Sequence, residues 1–375
     1  MSGDGVGSGR PLRVAILGAG AAGLAAYVLL DRLGHQASVF SPSGASTRLF
    51  LEGVELNVTG VLEGRVLPRV ARTLEEAVDG ADAVLVAMPA NGQKACLDSL
   101  APLLRPHQAV LMSAHASFAA LYLNRLLARR GASALVVTWA RTITRSRRPE
   151  PGLLRIATQR GTDMACLPAS RLAEGVELCR TLFGALFVPR ETLLQTSLSN
   201  MNPHSHLALA LTNITRMERG EDWAQHECQT PAVCRMLEAL DAERTDIATA
   251  FGLEVPTTQQ NHARALGTDA PLPVLTRMLF EREVSNGLVT KGPQTLESRY
   301  VLEDMPFGVA TTLMLSRMTG RSARLHEAGL TLMSALYGRD FAAENDLLPV
   351  LDLEGLSPGG FAELCIHGYG SVFPA

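Results

Sequence analysis

Hydrophobic positions along this chain keep two different rhythms, and the change between them falls near residue 196. Upstream, short unbroken aliphatic runs recur at 12–17 (LRVAIL), 37–40, 83–87 (AVLVA), 109–112 and 134–138. Apolar runs of this length without alternation suit strands buried on both faces, as in a parallel sheet. Helical-period stretches separate them: one through Leu33, then 74–79, 92–100 and 117–130. The segment 54–66 (VELNVTGVLEGRV) alternates and holds two glycines, which predicts a hairpin. Strands at 153–158 and 164–168, a helix over 171–183 and a last run at 185–189 complete this half. Downstream the helical period dominates, with helices expected over 205–218, 231–251, 257–265, 274–281, 310–318, 323–337 and 341–347. Pro256, Pro271, Pro273, Pro293 and Pro306 punctuate them. Three stretches are therefore expected: a flexible Gly- and Ser-rich segment 1–11, an α/β domain 12–195 on a doubly wound, mostly parallel sheet, and an all-helical domain 196–375. At 375 residues, about two domains is also what length suggests.

Composition narrows the class. A net charge of −3 provides no basic field, so neither nucleic acid nor an anionic membrane is an expected partner. Cys96, Cys166, Cys179, Cys228, Cys234 and Cys365 form no C-x-x-C pair, which suits a reducing compartment. No apolar run reaches the ~18–20 residues of a membrane span, and 1–11 carries no signal-peptide core. A cytoplasmic location is expected.

The first strand is followed at once by Gly18-Ala19-Gly20-Ala21-Ala22-Gly23 and then a helix. That is the context in which G-x-G-x-x-G denotes a dinucleotide site, and it makes the first domain Rossmann-type. Gly18 would allow the tight turn, Gly20 the approach of the pyrophosphate, and Gly23 close helix packing, with Ala21 and Ala22 opening the helix N-terminus toward the phosphates. NAD sites usually place Asp or Glu after the second strand. Here Ser41, Pro42 and Ser43 stand there, no acid comes before Glu52, and Ser46, Thr47 and Arg48 follow. Hydroxyls and an arginine without a carboxylate favour NADP, with NAD as the alternative. Pro89, Ser113 to His115 and Trp139 to Arg141 follow strands at their carboxyl ends, where open α/β sheets bind ligands. Pro89 is thus a candidate cofactor contact, and His115 and Arg141 are candidate substrate contacts. Arg145, Arg147 and Arg148 read mainly as a solvated basic loop.

Two stretches of the second half carry chemistry. Asn200-Met201-Asn202-Pro203-His204-Ser205-His206 puts two imidazoles at the start of the 205–218 helix, at the domain junction, where ligand clefts are frequent. Asn202 is a further candidate substrate contact. The other stretch is Arg299-Tyr300-Val301-Leu302-Glu303-Asp304-Met305-Pro306-Phe307-Gly308. Its arginine can grip a carboxylate bidentately, and its Asp304 can fix a histidine tautomer. The spacings among His204, His206, His226, Cys228 and Cys234 fit zinc poorly, so no metal is expected.

Taken in order, G-x-G-x-x-G, N-x-N-P-x-x-H and R-x-x-x-E-D-x-P-x-G resemble the opine (octopine/nopaline) dehydrogenases over most of the chain. The resemblance implies reductive amination of an α-keto acid by an amino acid or larger amine. It assigns His206 as the catalytic histidine, Asp304 as its carboxylate partner and Arg299 as the keto-acid-binding arginine, and leaves His204 at a variable position. A homodimer is compatible with it, although no residue pattern carries one. Two other readings stand beside it. A β-hydroxyacid dehydrogenase or ketopantoate reductase would need a catalytic lysine, and Lys291 is the only lysine of the helical half. A non-catalytic NADP-binding sensor would need none of the three site residues.

Overall fold

A computed structural model describes residues 10–371 of the chain; the expected flexible segment 1–11 lies outside the described residues through position 9. Eleven strands run in chain order as β1 (Arg13–Leu17), β2 (Gln36–Phe40), β3 (Leu56–Gly60), β4 (Gly64–Val66), β5 (Ala83–Val86), β6 (Ala109–Met112), β7 (Val136–Trp139), β8 (Thr144–Arg147), β9 (Leu153–Gln159), β10 (Thr162–Leu167) and β11 (Phe187–Pro189). Seven of them form one sheet in the order β11-β10-β7-β6-β5-β1-β2. β2, β1, β5, β6 and β7 are mutually parallel, and β10 joins β7 antiparallel. The chain leaves β1 for β2 on one side and returns to β5 on the other, so the β1/β5 boundary is the switch point at which such sheets open a crevice. Val14, Ile16, Leu85, Leu111 and Val137 from this sheet pack with Leu24, Val28 and Leu30 of the helix α1 (Ala21–Arg32) in one buried core. Each such side chain stabilises the fold by roughly 1.5–3 kcal/mol.

The 54–66 hairpin forms as β3 and β4, but in a second sheet of order β4-β3-β9-β8. Strand β8 falls where the sequence suggests a basic loop. Thr144–Arg147 pairs antiparallel with β9, and the Ser146 hydroxyl donates to the Ala21 carbonyl at 3.1 Å. Tertiary pairing thus overrides a sequence too charged to look like a strand.

The described residues form two compact units, one up to Thr196 together with the segment from Ala362, the other Ser197–Phe361. The end of the chain, expected with the helical domain, groups instead with the α/β unit, where the Tyr369 amide donates to Asn124 Oδ1 at 2.6 Å. In the helical unit the Asn202–Glu218 helix begins three residues before its predicted start, because Pro203 sits in the first turn, where no amide donor is required. Gly329 of the Arg324–Tyr337 helix lets that helix approach Leu207; a Cβ there would lie 2.6 Å from Leu207 Cδ2. Residues 341–347, predicted helical, are turns, whereas Pro358–His367 is a helix that hydrophobic periodicity does not announce. No helix among the described residues is long and apolar enough to cross a membrane.

Candidate functional site

The glycine loop of the α/β unit is built as the fingerprint requires. Gly18 adopts φ +119°, and a Cβ on it would meet the Ala87 carbonyl at the end of β5. A Cβ on Gly23 would run into the Gly18 carbonyl, so α1 closes directly over the turn. A Cβ on Gly20, by contrast, would meet nothing within 4 Å, and the backbone is open to a ligand there. Gly20 caps α1 without a side-chain hydrogen bond, and no acid stands in the first turn with Ala21 and Ala22. Free amide donors, positive helix end and open approach together fit a pyrophosphate. Pro89 caps the Ala90–Leu100 helix next to this turn.

The segment after β2 departs in part from expectation. Ser41 and Ser43 shape a tight turn, in which Gly44 N–H donates to the Ser41 carbonyl and Ala45 N–H to Ser43 Oγ. Thr47 is buried with its hydroxyl donating to the Gly44 carbonyl at 3.1 Å, so it closes the turn rather than facing a ligand. Arg48 points outward, its side chain 78% exposed and 3.8 Å from Glu52. Arg148, expected in a solvated loop, occupies the position instead: its Nη1 donates to the Ala19 carbonyl at 2.8 Å and lies 3.5 Å from the Ser46 carbonyl. His115 and Arg141, the expected substrate contacts, are both engaged within the α/β unit. The His115 ring is 1% exposed, its Nε2 faces the Ala120 amide, and burial pushes its pKa down to about 3, which leaves a neutral interior imidazole. Arg141 directs Nε and Nη2 to the Gly161 carbonyl, between β9 and β10.

In the helical unit the two sequence motifs meet. Pro203 lies against Gly308, where a Cβ would come within 2.5 Å of Pro203 Cγ. Asp304 precedes a π-helical turn, Met305–Val309, whose Pro306 carbonyl accepts from Asn345 Nδ2 at 2.7 Å. This packing brings His206 Nδ1 to 2.6 Å from Asp304 Oδ2, with both residues buried. An ionised carboxylate only accepts, so Nδ1 carries the proton and the ring's tautomer is fixed. Tyr300 stacks on the His206 ring, with centroids 3.6 Å apart and planes at 13°, and its hydroxyl donates to Gln225 Oε1 at 2.6 Å. Neither Tyr300 nor Gln225 had a sequence signal beyond its proximity to a motif. Arg299 opens the Arg299–Leu302 turn one residue before Tyr300 and is solvent-accessible. Burial of its stem opposes the charge, yet Glu303 and Asp304 outweigh it and raise the arginine's pKa. Asn202 enters the same first turn as His204, its amide donating to Asn200 Oδ1.

Two residues before His206 the pattern differs. His204 is 1% exposed, with Nε2 3.0 Å from Thr258 Oγ1 and 3.4 Å from Asp241 Oδ1. Asp241 is already claimed by Arg244 Nε and Nη2 and by the Thr258 amide. Lys291 is exposed and paired with Asp222 at 2.7 Å, which gives a lysine-based reductase no interior lysine to use. Among the described residues no cluster of His, Cys, Asp and Glu is placed to hold a metal ion.

A dinucleotide-type α/β unit with a helical unit carrying a histidine–carboxylate pair defines a nicotinamide-dependent oxidoreductase class. Residues 189–337 match the family described as NAD/NADP octopine/nopaline dehydrogenase, alpha-helical domain, and residues 14–115 match ketopantoate reductase PanE/ApbA. An opine dehydrogenase of Arthrobacter sp. (strain 1C) is 30% identical over 287 residues, covering 76% of this chain and 79% of the relative. Octopine dehydrogenase solved with NADH and L-arginine superposes with a TM-score of 0.76 at 16% identity, over 94% of this chain and 98% of that one. Yersinopine dehydrogenase with NADP+ bound superposes with a TM-score of 0.67 at 16% identity, over 91% and 98%. The chain belongs to the opine dehydrogenase family, the NAD(P)H-dependent oxidoreductases of that name.

Proposed function

We propose that this enzyme joins an amino acid or larger amine to an α-keto acid by NADPH-dependent reductive amination. The observation that carries the reading is the 2.6 Å His206–Asp304 pair with Arg299 on the adjoining turn. Arg299 holds the keto-acid carboxylate through two parallel hydrogen bonds and fixes the carbonyl carbon. His206 enters as the imidazolium: its Nε2–H protonates the carbonyl oxygen as the amine adds, Nε2 takes a proton back from the adduct's nitrogen, and it returns that proton to the hydroxyl so that water leaves and an imine forms. Asp304 keeps the ring in one tautomer and stabilises its cation through both steps. The bound cofactor supplies the hydride that reduces the imine to the secondary amine. Stacked Tyr300 restricts the ring to the plane in which Nδ1 meets Asp304.

The octopine and yersinopine dehydrogenase structures, solved with NADH, arginine or pyruvate and with NADP+, support this reaction class by likeness of fold. NADPH oxidation across a matrix of α-keto acids and amino acids, repeated with NADH, tests it. Oxidation that requires both partners is expected. Oxidation with a keto acid alone would make the enzyme a hydroxyacid-type reductase, and cofactor binding without turnover for any pair would favour the sensor reading. Arg299→Lys should raise KM for the keto acid, because a point charge replaces a bidentate fork.

A further inference from the structure

We infer that Arg148, delivered by the second sheet, is the residue that recognises the 2′-phosphate of NADPH and sets the preference for it over NADH. The inference rests on the cofactor reading above and deepens it. In folds of this kind the adenosine ribose lies between the glycine turn and the end of the second strand. Arg148 reaches both borders of that space: its Nη1 donates to Ala19 in the glycine turn and approaches Ser46 in the segment after β2. Both of these bonds come from Nη1, so Nε and Nη2 remain as a fork for a planar or tetrahedral anion. Its partners are neutral carbonyls, and no carboxylate pairs with it among the described residues. A half-buried guanidinium without a counter-ion is poorly solvated, and burial accordingly lowers its pKa. An incoming dianion would relieve that cost. The surroundings agree, since Ser41, Ser43 and Ser46 bring hydroxyls and no acid stands where NAD sites carry one.

The delivery route explains why sequence reasoning misses it. Strand β8 lies against the start of α1 through the Ser146–Ala21 hydrogen bond, and Arg148 follows β8 by one residue. Arg48, close in sequence to the second strand, instead extends into solvent beside Glu52.

Direct binding separates the two arginines. Intrinsic-fluorescence titrations of the full chain with NADPH and with NADH need no keto acid or amine, so they hold even if the reductive-amination reading fails. Wild-type protein should bind NADPH more tightly. Arg148→Ala should weaken NADPH about 10–100-fold, the range of a lost charge-assisted contact, and leave NADH within about 2-fold. Arg148→Lys should fall between, as a point charge without the fork. Arg48→Ala should leave the ratio nearly unchanged, as an exposed side chain in weak pairing does. Equal losses for both cofactors, no loss in Arg148→Ala, or a wild type without preference would overturn the inference. So would a ratio that moves with Arg48 alone. Melting temperatures of each variant without cofactor show whether a loss reflects misfolding; Arg148→Lys then carries the test.

Discussion

His204 and His206 stand two residues apart on one helix and each faces an aspartate, but the two carboxylates are engaged differently. Asp304 hydrogen-bonds His206 at 2.6 Å, and its charge also favours the Arg299 cation nearby. Asp241 is divided between two donors of Arg244 and the Thr258 amide before His204 reaches it at 3.4 Å. Complete burial then pushes His204 down to about 3, against the pull of Asp241 and with Arg244 adding to the decrease. An adjacent carboxylate therefore does not by itself keep a buried histidine protonatable. The network around His204 has a structural task instead. Arg244 ties its helix to the Leu198 and Pro256 carbonyls, which anchors the chain on both sides of the motif.

The contrast can be broken first at His206. His206→Ala should lower kcat/KM by ~10²–10⁴-fold with NADPH binding preserved, as loss of general acid–base catalysis does; steady-state kinetics beside a fluorescence titration decides it, and unchanged turnover would remove the histidine from the mechanism. Arg244→Met acts on the other side. It strands Asp241, 4% exposed, without its cation, and should cost about 3–5 kcal/mol in urea unfolding. A stable Arg244→Met protein would mean that Asp241 has a different partner. Gly308→Ala tests the contact that joins the motifs. The added methyl must displace Pro203, which should cost about 1–3 kcal/mol and reduce kcat/KM as the His206–Asp304 geometry slips.

The last prediction concerns pH. With His204 at about 3 when folded and 6.5 ordinarily, the unfolded chain binds a proton between those values that the folded chain refuses. Stability contributed by this site is therefore whole above pH ~6.5 and declines as pH falls toward ~3, by up to about 1.4 kcal/mol per pH unit. His115, at about 3, and His262, at about 4, add declines of the same sign. His204→Gln should flatten the stability–pH slope between pH 6 and 4 by about one proton, read from urea midpoints across that range. An unaltered slope would show that His204 is not the neutral, buried group described.

Much of the site was legible because its parts are local. The glycine turn needs Gly18 and Gly23 for reasons of backbone space alone, and those demands leave a fixed spacing in the chain. Asn202-Pro203 and Pro306-Gly308 are likewise turn and helix-start chemistry, visible without a partner. What could not be read are the pairings. Tyr300 reaches the His206 ring from a motif distant in the chain, and whether Arg48 or Arg148 lies at the glycine turn depends on how the second sheet lies on α1. The burial of His115 and Thr47 depends equally on what packs over them.

By itself, then, the sequence determined the alternation of buried strands and helices, the position of the change near residue 196, and which residues have the chemistry to transfer protons and grip carboxylates. Those properties follow from side-chain period, backbone sterics and functional groups, all written residue by residue. Only the tertiary structure decided which histidine hydrogen-bonds its carboxylate at 2.6 Å, which arginine lies at the glycine turn, and that residues 362–371 belong with the α/β unit. Each of these depends on desolvation and on competition for one partner among several, and neither exists until distant segments are packed together.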